Sequence, residues 1–363
     1  MQTMIQFNSN ILILFSFITA FIIVFTSIPT IVNVANIIKL FDEPGLRKAH
    51  DTKVPTLGGI AIFAALLITI GVFADFSKQH EFQYLYMSSI ILFFVGLKDD
   101  ILIIAPLKKL WGQLLATLVL IILGDVRFTS LHGFLGINHI PYLASTLLTF
   151  FVFIVIINGF NLIDGIDGLA AGAGILASLI FGTWFYLAGD YEYTVVSATL
   201  AGSLIAFFWF NAYSKRHKIF MGDTGSLMVG LFMAILAVRF NELNIKQSNN
   251  WFIHAAPAVS FAILIVPLFD TIRVFLIRLF QGKSPFKADT NHVHHRLLAM
   301  GMSHIRATTY ILGVNVIIVI VSLSFNHMGI IRLMILNLIL ATLFSLLPEI
   351  IYFVKEKLRQ HNS

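Results

Sequence analysis

Apolar runs of about 17 to 25 residues recur along the whole of this 363-residue chain. Each is long enough to cross the roughly 30 Å hydrocarbon layer of a bilayer as one α-helix. Lipid offers the backbone no hydrogen-bond partners, so such runs must fold as helices that satisfy their own peptide groups. The fold class expected is therefore all-α, a polytopic integral membrane helical bundle. Charged residues make up only 12% of the chain, against about 25% in a soluble domain. Eleven spans are predicted, at 11–31, 58–74, 84–98, 106–123, 142–158, 168–188, 194–211, 224–240, 256–280, 308–324 and 331–354. No hydrophilic stretch is long enough for a second unit, so residues 1–363 read as a single membrane-embedded domain. There is no cysteine, which excludes disulfides, thiolate metal sites and thiol nucleophiles. The first ten residues carry no Lys or Arg, so no cleaved signal peptide is expected.

The basic residues orient the bundle. With the N-terminus outside, 19 of the 24 Lys and Arg fall in cytoplasmic loops or the span ends beside them. The positive-inside rule thus predicts N-terminus out and C-terminus in. The same bias accounts for the net charge of +6 without a nucleic-acid partner.

Under that topology five polar clusters share the cytoplasmic face. They are "DEPGLRKAHDTKVPTLGG" (42–59), "GLKDD" ending in Asp99 and Asp100, "INGFNLIDGIDGLAAGAG" (157–174), "FMGDTGS" with Asp223, and "SPFKADTNHVHHRLLAMG" (284–301). Each has a plain reading. Asp99 and Asp100 end a helix and can be solvated there, although a divalent ion or basic partner relieves their repulsion. Asp223 suits the N-cap of the helix that follows it. His292, His294 and His295 suit ordinary polar loop residues, but three within four positions beside Lys283, Lys287 and Arg296 read better as an anion patch, since H-x-H-H is not a zinc spacing. Asp270 and Arg273, three apart inside a span, suit an intrahelical ion pair.

The third cluster resists a plain reading. An Asp at bilayer depth costs about 2.5–3.5 kcal/mol, so intramembrane acids are functional candidates by default. Asn158, Asn161, Asp164 and Asp167 recur every three residues. On an unbroken helix that step turns about 300°, placing Asn158 and Asp167 on opposite sides. Gly159, Gly165 and Gly168 predict a break that lets these groups converge. Amide and carboxylate oxygens without thiols suit a hard cation, Mg²⁺ first and Mn²⁺ as the alternative. Oxygen ligands beside many cations point to a phosphorylated substrate. No Walker motif is present, which argues against an ATP-driven pump.

Taken in order, "PTLGG", "DD", "NGFNLIDGIDGLAAG", "GDTGS" and "HVHH" resemble the polyprenyl-phosphate N-acetylhexosamine-1-phosphate transferases over residues 10–355. "DTNHVHHRLLAMG" is closer to the WecA/TagO-like branch, which uses UDP-GlcNAc, than to the branch using UDP-MurNAc-pentapeptide, where three His are consecutive. The resemblance implies a bacterial inner-membrane enzyme that passes a sugar 1-phosphate from a UDP-sugar to undecaprenyl phosphate and releases UMP. It implies Mg²⁺ on Asn161 and Asp223. Asp99, supported by Asp100, would be a base or positioner for the lipid phosphate, and Asp164 and Asp167 would shape the nucleotide and metal pocket. Lys48, Lys53, Lys109, His292, His294 and His295 would hold phosphate or sugar groups. Members of this family are often homodimers. A secondary transporter is the reading from another class, but its acids lie mid-membrane between repeated halves. Here the acids cluster at span ends and no repeat is visible.

Overall fold

The computed structural model of the chain describes residues 8–39, 54–102, 104–245, 250–282 and 292–361. They fold into α1 (Ser9–Ile38), α2 (Gly58–Phe73), α3 (Glu81–Leu102), α4 (Pro106–Leu118), α5 (Tyr142–Ile163), α6 (Leu169–Ala188) and α7 (Tyr191–Ala212). After these come α8 (Gly222–Leu243), α9 (Ala256–Ile263), α10 (Ile265–Phe280), α11 (Val293–Ala299), α12 (His304–Ser324) and α13 (Ile330–His361). A π-helical stretch, Val119–Leu123, prolongs α4. A small antiparallel hairpin, β1 (Ser130–Phe134) and β2 (Ile137–His139), leads into α5. The chain is an all-α polytopic membrane protein. Among the described residues, eight helices are long and apolar enough to cross a membrane, or nine if the bent α9–α10 pair is one span. The other two predicted spans lie on α2, apolar but 16 residues long, and on α3, whose last two turns carry Lys98, Asp99 and Asp100.

Two local departures matter. The run 256–280 is two helices meeting at 86° around Leu264. Pro267 lies four residues past Ile263 and has no N–H to bond its carbonyl, so a continuous helix is interrupted there. The run 142–158 continues through Asn158, Gly159 and Asn161 to Ile163. The expected break therefore starts at Asp164, not at Gly159.

Helix α8 is the axis of the bundle. Between Leu227 and Val238 its sequence is apolar on all sides, as a helix buried all round must be. Neighbours approach it through small residues, the means by which membrane helices pack closely. A Cβ on Gly59 of α2 would lie 2.2 Å from the Gly225 nitrogen, and one on Gly96 of α3 would lie 2.5 Å from the Thr224 Cα. On α8 itself, a Cβ at Gly230 would lie 2.6 Å from the Ile157 Cα of α5. Because the obstructing atoms are backbone, Gly96→Val is expected to cost about 1–3 kcal/mol through overpacking. A lowered melting temperature of the purified protein checks this; an unchanged one refutes the close approach of α3 and α8.

One end of the bundle is held by ion pairs. Arg239 of α8 bonds Asp190 at 2.7 Å, lies 3.8 Å from Glu81 of α3, and sits over the Tyr193 ring of α7. Tyr193 in turn donates to Glu81 at 3.1 Å. The polar motifs gather at the other end.

Candidate active site

The five motifs form one connected network at the start of α8. The "PTLGG" segment, which leads into α2, braces the loop before α8. Phe220 N–H donates to the Pro55 carbonyl at 2.8 Å, and Gly58 and Gly59 donate back to Phe220 and Met221 at 3.0 and 2.9 Å. Gly222 then turns with φ +70°, and a Cβ there would sit 2.1 Å from the Thr56 oxygen. Only glycine meets both demands.

Asp100 caps α8 from outside. Its carboxylate accepts the N–H groups of Asp223 (2.7 Å) and Thr224 (3.0 Å) and the Thr224 hydroxyl (2.6 Å). It thereby satisfies orphan donors of the first turn and places negative charge at the positive end of the helix. The carboxylate of Asp223 is consequently not used for capping and faces the neighbouring acids and amides.

At that point four predicted residues converge. Lys109, in the first turn of α4, lies 2.7 Å from Asp223 Oδ2 and 3.2 Å from Asp99 Oδ2. It also donates to Asn161 Oδ1 at 3.1 Å. Asn161 Nδ2 donates to Asp223 Oδ1 and, at 2.9 Å, to Ser226 Oγ. Asp99 is fixed by the Ile104 N–H at 2.7 Å. Three side-chain oxygens from α3, α5 and α8 thus surround one cationic nitrogen. Asn158 lies one turn deeper and is paired with Gln113 of α4 at 2.8 and 3.2 Å, so it ties α4 to α5.

Past α5 the chain turns through Asp164–Gly168. Burial, followed by the carboxylates of Asp223, Asp100 and Asp167, raises the Asp164 pKa well above the ordinary carboxylate value. Asp167 pairs with Lys218 at 2.7 Å and lies 3.5 Å from His304. Its carbonyl accepts from Thr308. The next residue, Gly168, donates to Asn211 at 2.6 Å.

The three histidines have different surroundings. His292 and His294 are buried, whereas the ring of His295 is partly open. His294 packs on the acid loop, where a Cβ at Gly165 would be 2.6 Å from its Nε2. Burial lowers the His294 pKa to about 3 and, with His292 beside it, also lowers that of His295. His294 is therefore neutral at neutral pH and is no phosphate-binding cation. Lys48 and Lys53, with Arg47 and His50, lie outside the described residues.

Lys218, His304, Gln113 and Ser226 belong to this network without having been singled out from sequence. A signal did exist for Gln113. It follows Lys109 by four residues, and Asn161 follows Asn158 by three, so each pair shares one helix face. No local pattern links Lys218 or His304 to Asp167, because both contacts are made by folding alone.

The donor set fits a hard cation. Oxygens of Asp223, Asp99 and Asn161 already converge on a single positive charge, and the chain has no cysteine thiolate to compete. Among the described residues, no group of three or more His, Asp or Glu is arranged to hold an ion alone. Mg²⁺ suits such a site, because it keeps waters and shares its shell with substrate phosphates.

Comparison with known proteins agrees with this geometry. Residues 82–241, which include every acid of the cluster, match the family described as Glycosyl transferase family 4. A decaprenyl-phosphate N-acetylglucosaminephosphotransferase of Mycobacterium leprae is 31% identical over 316 residues, 81% of this chain and 79% of the relative. A protein of Bacillus subtilis named a probable undecaprenyl-phosphate N-acetylglucosaminyl 1-phosphate transferase is 29% identical, covering 96% of this chain and 94% of its own. An undecaprenyl-phosphate alpha-N-acetylglucosaminyl 1-phosphate transferase of Escherichia coli K12 is 26% identical over 74% of this chain and 72% of its own. The chain belongs to glycosyl transferase family 4, among the polyprenyl-phosphate N-acetylglucosamine-1-phosphate transferases.

Proposed function

We propose that the protein transfers GlcNAc 1-phosphate from UDP-GlcNAc to undecaprenyl phosphate, yielding undecaprenyl-pyrophosphoryl-GlcNAc and UMP. The observation that carries this reading is the junction of Asp99, Asn161 and Asp223 around Lys109 at one end of a membrane bundle. A lipid phosphate and a soluble nucleotide can meet there. In the reaction an oxygen of the lipid phosphate attacks the sugar-bearing phosphorus, and the bond to UMP breaks. A lipid phosphate with a second pKa near 6 is largely a dianion at neutral pH, so no strong base is needed. The demand is for positioning and charge neutralisation. When bound, Mg²⁺ supplies neutralisation of the pyrophosphate oxygens. Asn161 and Asp223 would hold it, Asp99 would orient the lipid phosphate, and Lys109 would share the phosphate charge. Asp164 and Asp167 would shape the nucleotide pocket, with Lys218 paired to Asp167.

The charge bias and the bacterial relatives support the setting of this reading. The protein sits in the bacterial inner membrane as one transferase domain crossing eleven times, N-terminus out and C-terminus in, with the site on the cytoplasmic face. A homodimer accords with the family.

The test uses purified protein, undecaprenyl phosphate and a panel of UDP-sugars, scored by UMP release. UMP should appear with UDP-GlcNAc and require both the lipid and Mg²⁺. No UMP with any sugar from folded protein overturns the reading. UMP from UDP-MurNAc-pentapeptide alone transfers the chain to the other branch of the family.

A further inference from the structure

The motif "HVHH" is held at its first residue by an acid 22 positions away. Asp270 lies on α10, just past the 86° bend. It is 5% exposed, and His292 is also 5% exposed. Asp270 Oδ1 accepts the Val293 N–H at 3.0 Å, and Oδ2 lies 2.8 Å from His292 Nδ1. One carboxylate thus takes the first backbone donor of α11 and the ring of the residue preceding it. No side chain of α11 or its N-cap residue does that work locally. Asp270 also shares its helix face with Val274 and Arg278, all three buried, while Ile272, Phe275, Leu276 and Leu279 are exposed. Past the bend, α10 faces Asp270 and Arg278 inward with Val274 between them, and a greasy stripe outward.

The far end of this arrangement touches the acid loop. His294 packs parallel to His292, with ring centres 5.5 Å apart at 12°, and its Nε2 lies against Gly165 between Asp164 and Asp167. The chain of contact runs from Asp270 through His292 and His294 to Gly165. Only His295 of the three keeps an open ring.

We infer that Asp270 and His292 act as a pin that positions α11 against the acid loop, and that His295 is the histidine this pin presents to the substrate. The pin sets where α11 lies, so His292 and His294 are positioning residues and not phosphate ligands. This rests on the transferase reading for its effect on turnover, but not for the pin itself. The contact between the His292 ring and the carboxylate places a proton on Nδ1, which Asp270→Asn would displace by offering a donor there.

The experiment compares Asp270→Asn, His292→Gln and the double variant with the wild type by two readouts. Amide hydrogen exchange over 293–299 needs no turnover. It should quicken about tenfold in each single variant, and no further in the double, because both remove one linkage. Exchange in α8 should be unchanged. In the UMP assay kcat should fall about 10- to 100-fold, with KM for undecaprenyl phosphate within about twofold and the double no worse than the poorer single variant. Unchanged exchange in both singles refutes the pin. Faster exchange with undiminished kcat refutes its positioning role, as do losses that multiply in the double. A wild type that releases no UMP overturns the transferase reading instead, and the exchange data still decide the pin. If Asp270→Asn fails to fold, His292→Gln reports on the same linkage from outside α10.

Discussion

Asp223→Asn is expected to lower UMP release about 10³-fold, in line with losing a principal charge-stabilising group, while the protein melts close to the wild type. The two halves of that expectation have separate causes. An Asp opening an apolar helix ordinarily caps it, and its loss then costs about 1 kcal/mol of stability. Here the cap comes from Asp100, which accepts the N–H groups of residues 223 and 224. The Asp223 carboxylate instead meets Lys109 and Asn161. Asparagine keeps its shape and the backbone donor that Asp100 needs; it removes the charge and one acceptor, while Lys109 keeps its pair with Asp99. Asp100→Asn should behave in the opposite sense, lowering the melting temperature more than Asp223→Asn does. Turnover within tenfold of wild type for Asp223→Asn would refute the assignment of its carboxylate to the metal and phosphates.

Lys109→Gln should be comparably severe for turnover, with a loss of about 10²- to 10³-fold, but it should also alter stability. Lys109 is the charge shared by Asp99 and Asp223, and its side chain is only 14% exposed. Removing one partner of a buried ion pair costs about 3–5 kcal/mol. Partial exposure here puts the cost at or below the lower limit. Two carboxylates then face each other without a counter-charge, and a divalent cation relieves that. The expected result is a lowered melting temperature for Lys109→Gln without divalent ions, restored by millimolar Mg²⁺ by more degrees than the wild type gains. Equal gains from Mg²⁺ in both proteins would show that Lys109 and the metal do not answer the same acids.

The architecture was legible because lipid leaves so few options. Runs such as 194–211 and 224–240 lie on helices within three residues of the predicted ends. The bend at Leu264 was hidden within an unbroken apolar run, with Pro267 its only local mark. Asn158 shows why a spacing argument reaches only part of a site. Four polar groups three apart suggested convergence through a break at Gly159, Gly165 and Gly168, of which the last two lie in the turn. The helix instead holds Asn158 and Asn161 on neighbouring turns facing α4, and turns away only at Asp164. The acids around Lys109 were recognisable one by one. Their division of labour, with Asp100 serving a backbone and Asp223 left unspent, depends on contacts spanning more than a hundred residues. Asp270 was the least legible. Arg273, three residues on, offered a plausible local partner, while both carboxylate oxygens serve the start of α11.

The Arg239 cluster bears on which parts of the enzyme can move. Helices α3 and α8 are each 22 residues long, about 33 Å. They are fastened at one end by Arg239 to Glu81 and at the other by Asp100 to the first turn of α8. Two rods joined at both ends resist scissoring, so Asp99 and Asp223 are expected to keep their separation. Alternating exposure of the kind a rocking carrier needs is closed to this pair. The α10–α11 side lies outside this double fastening and meets the acid loop through His294.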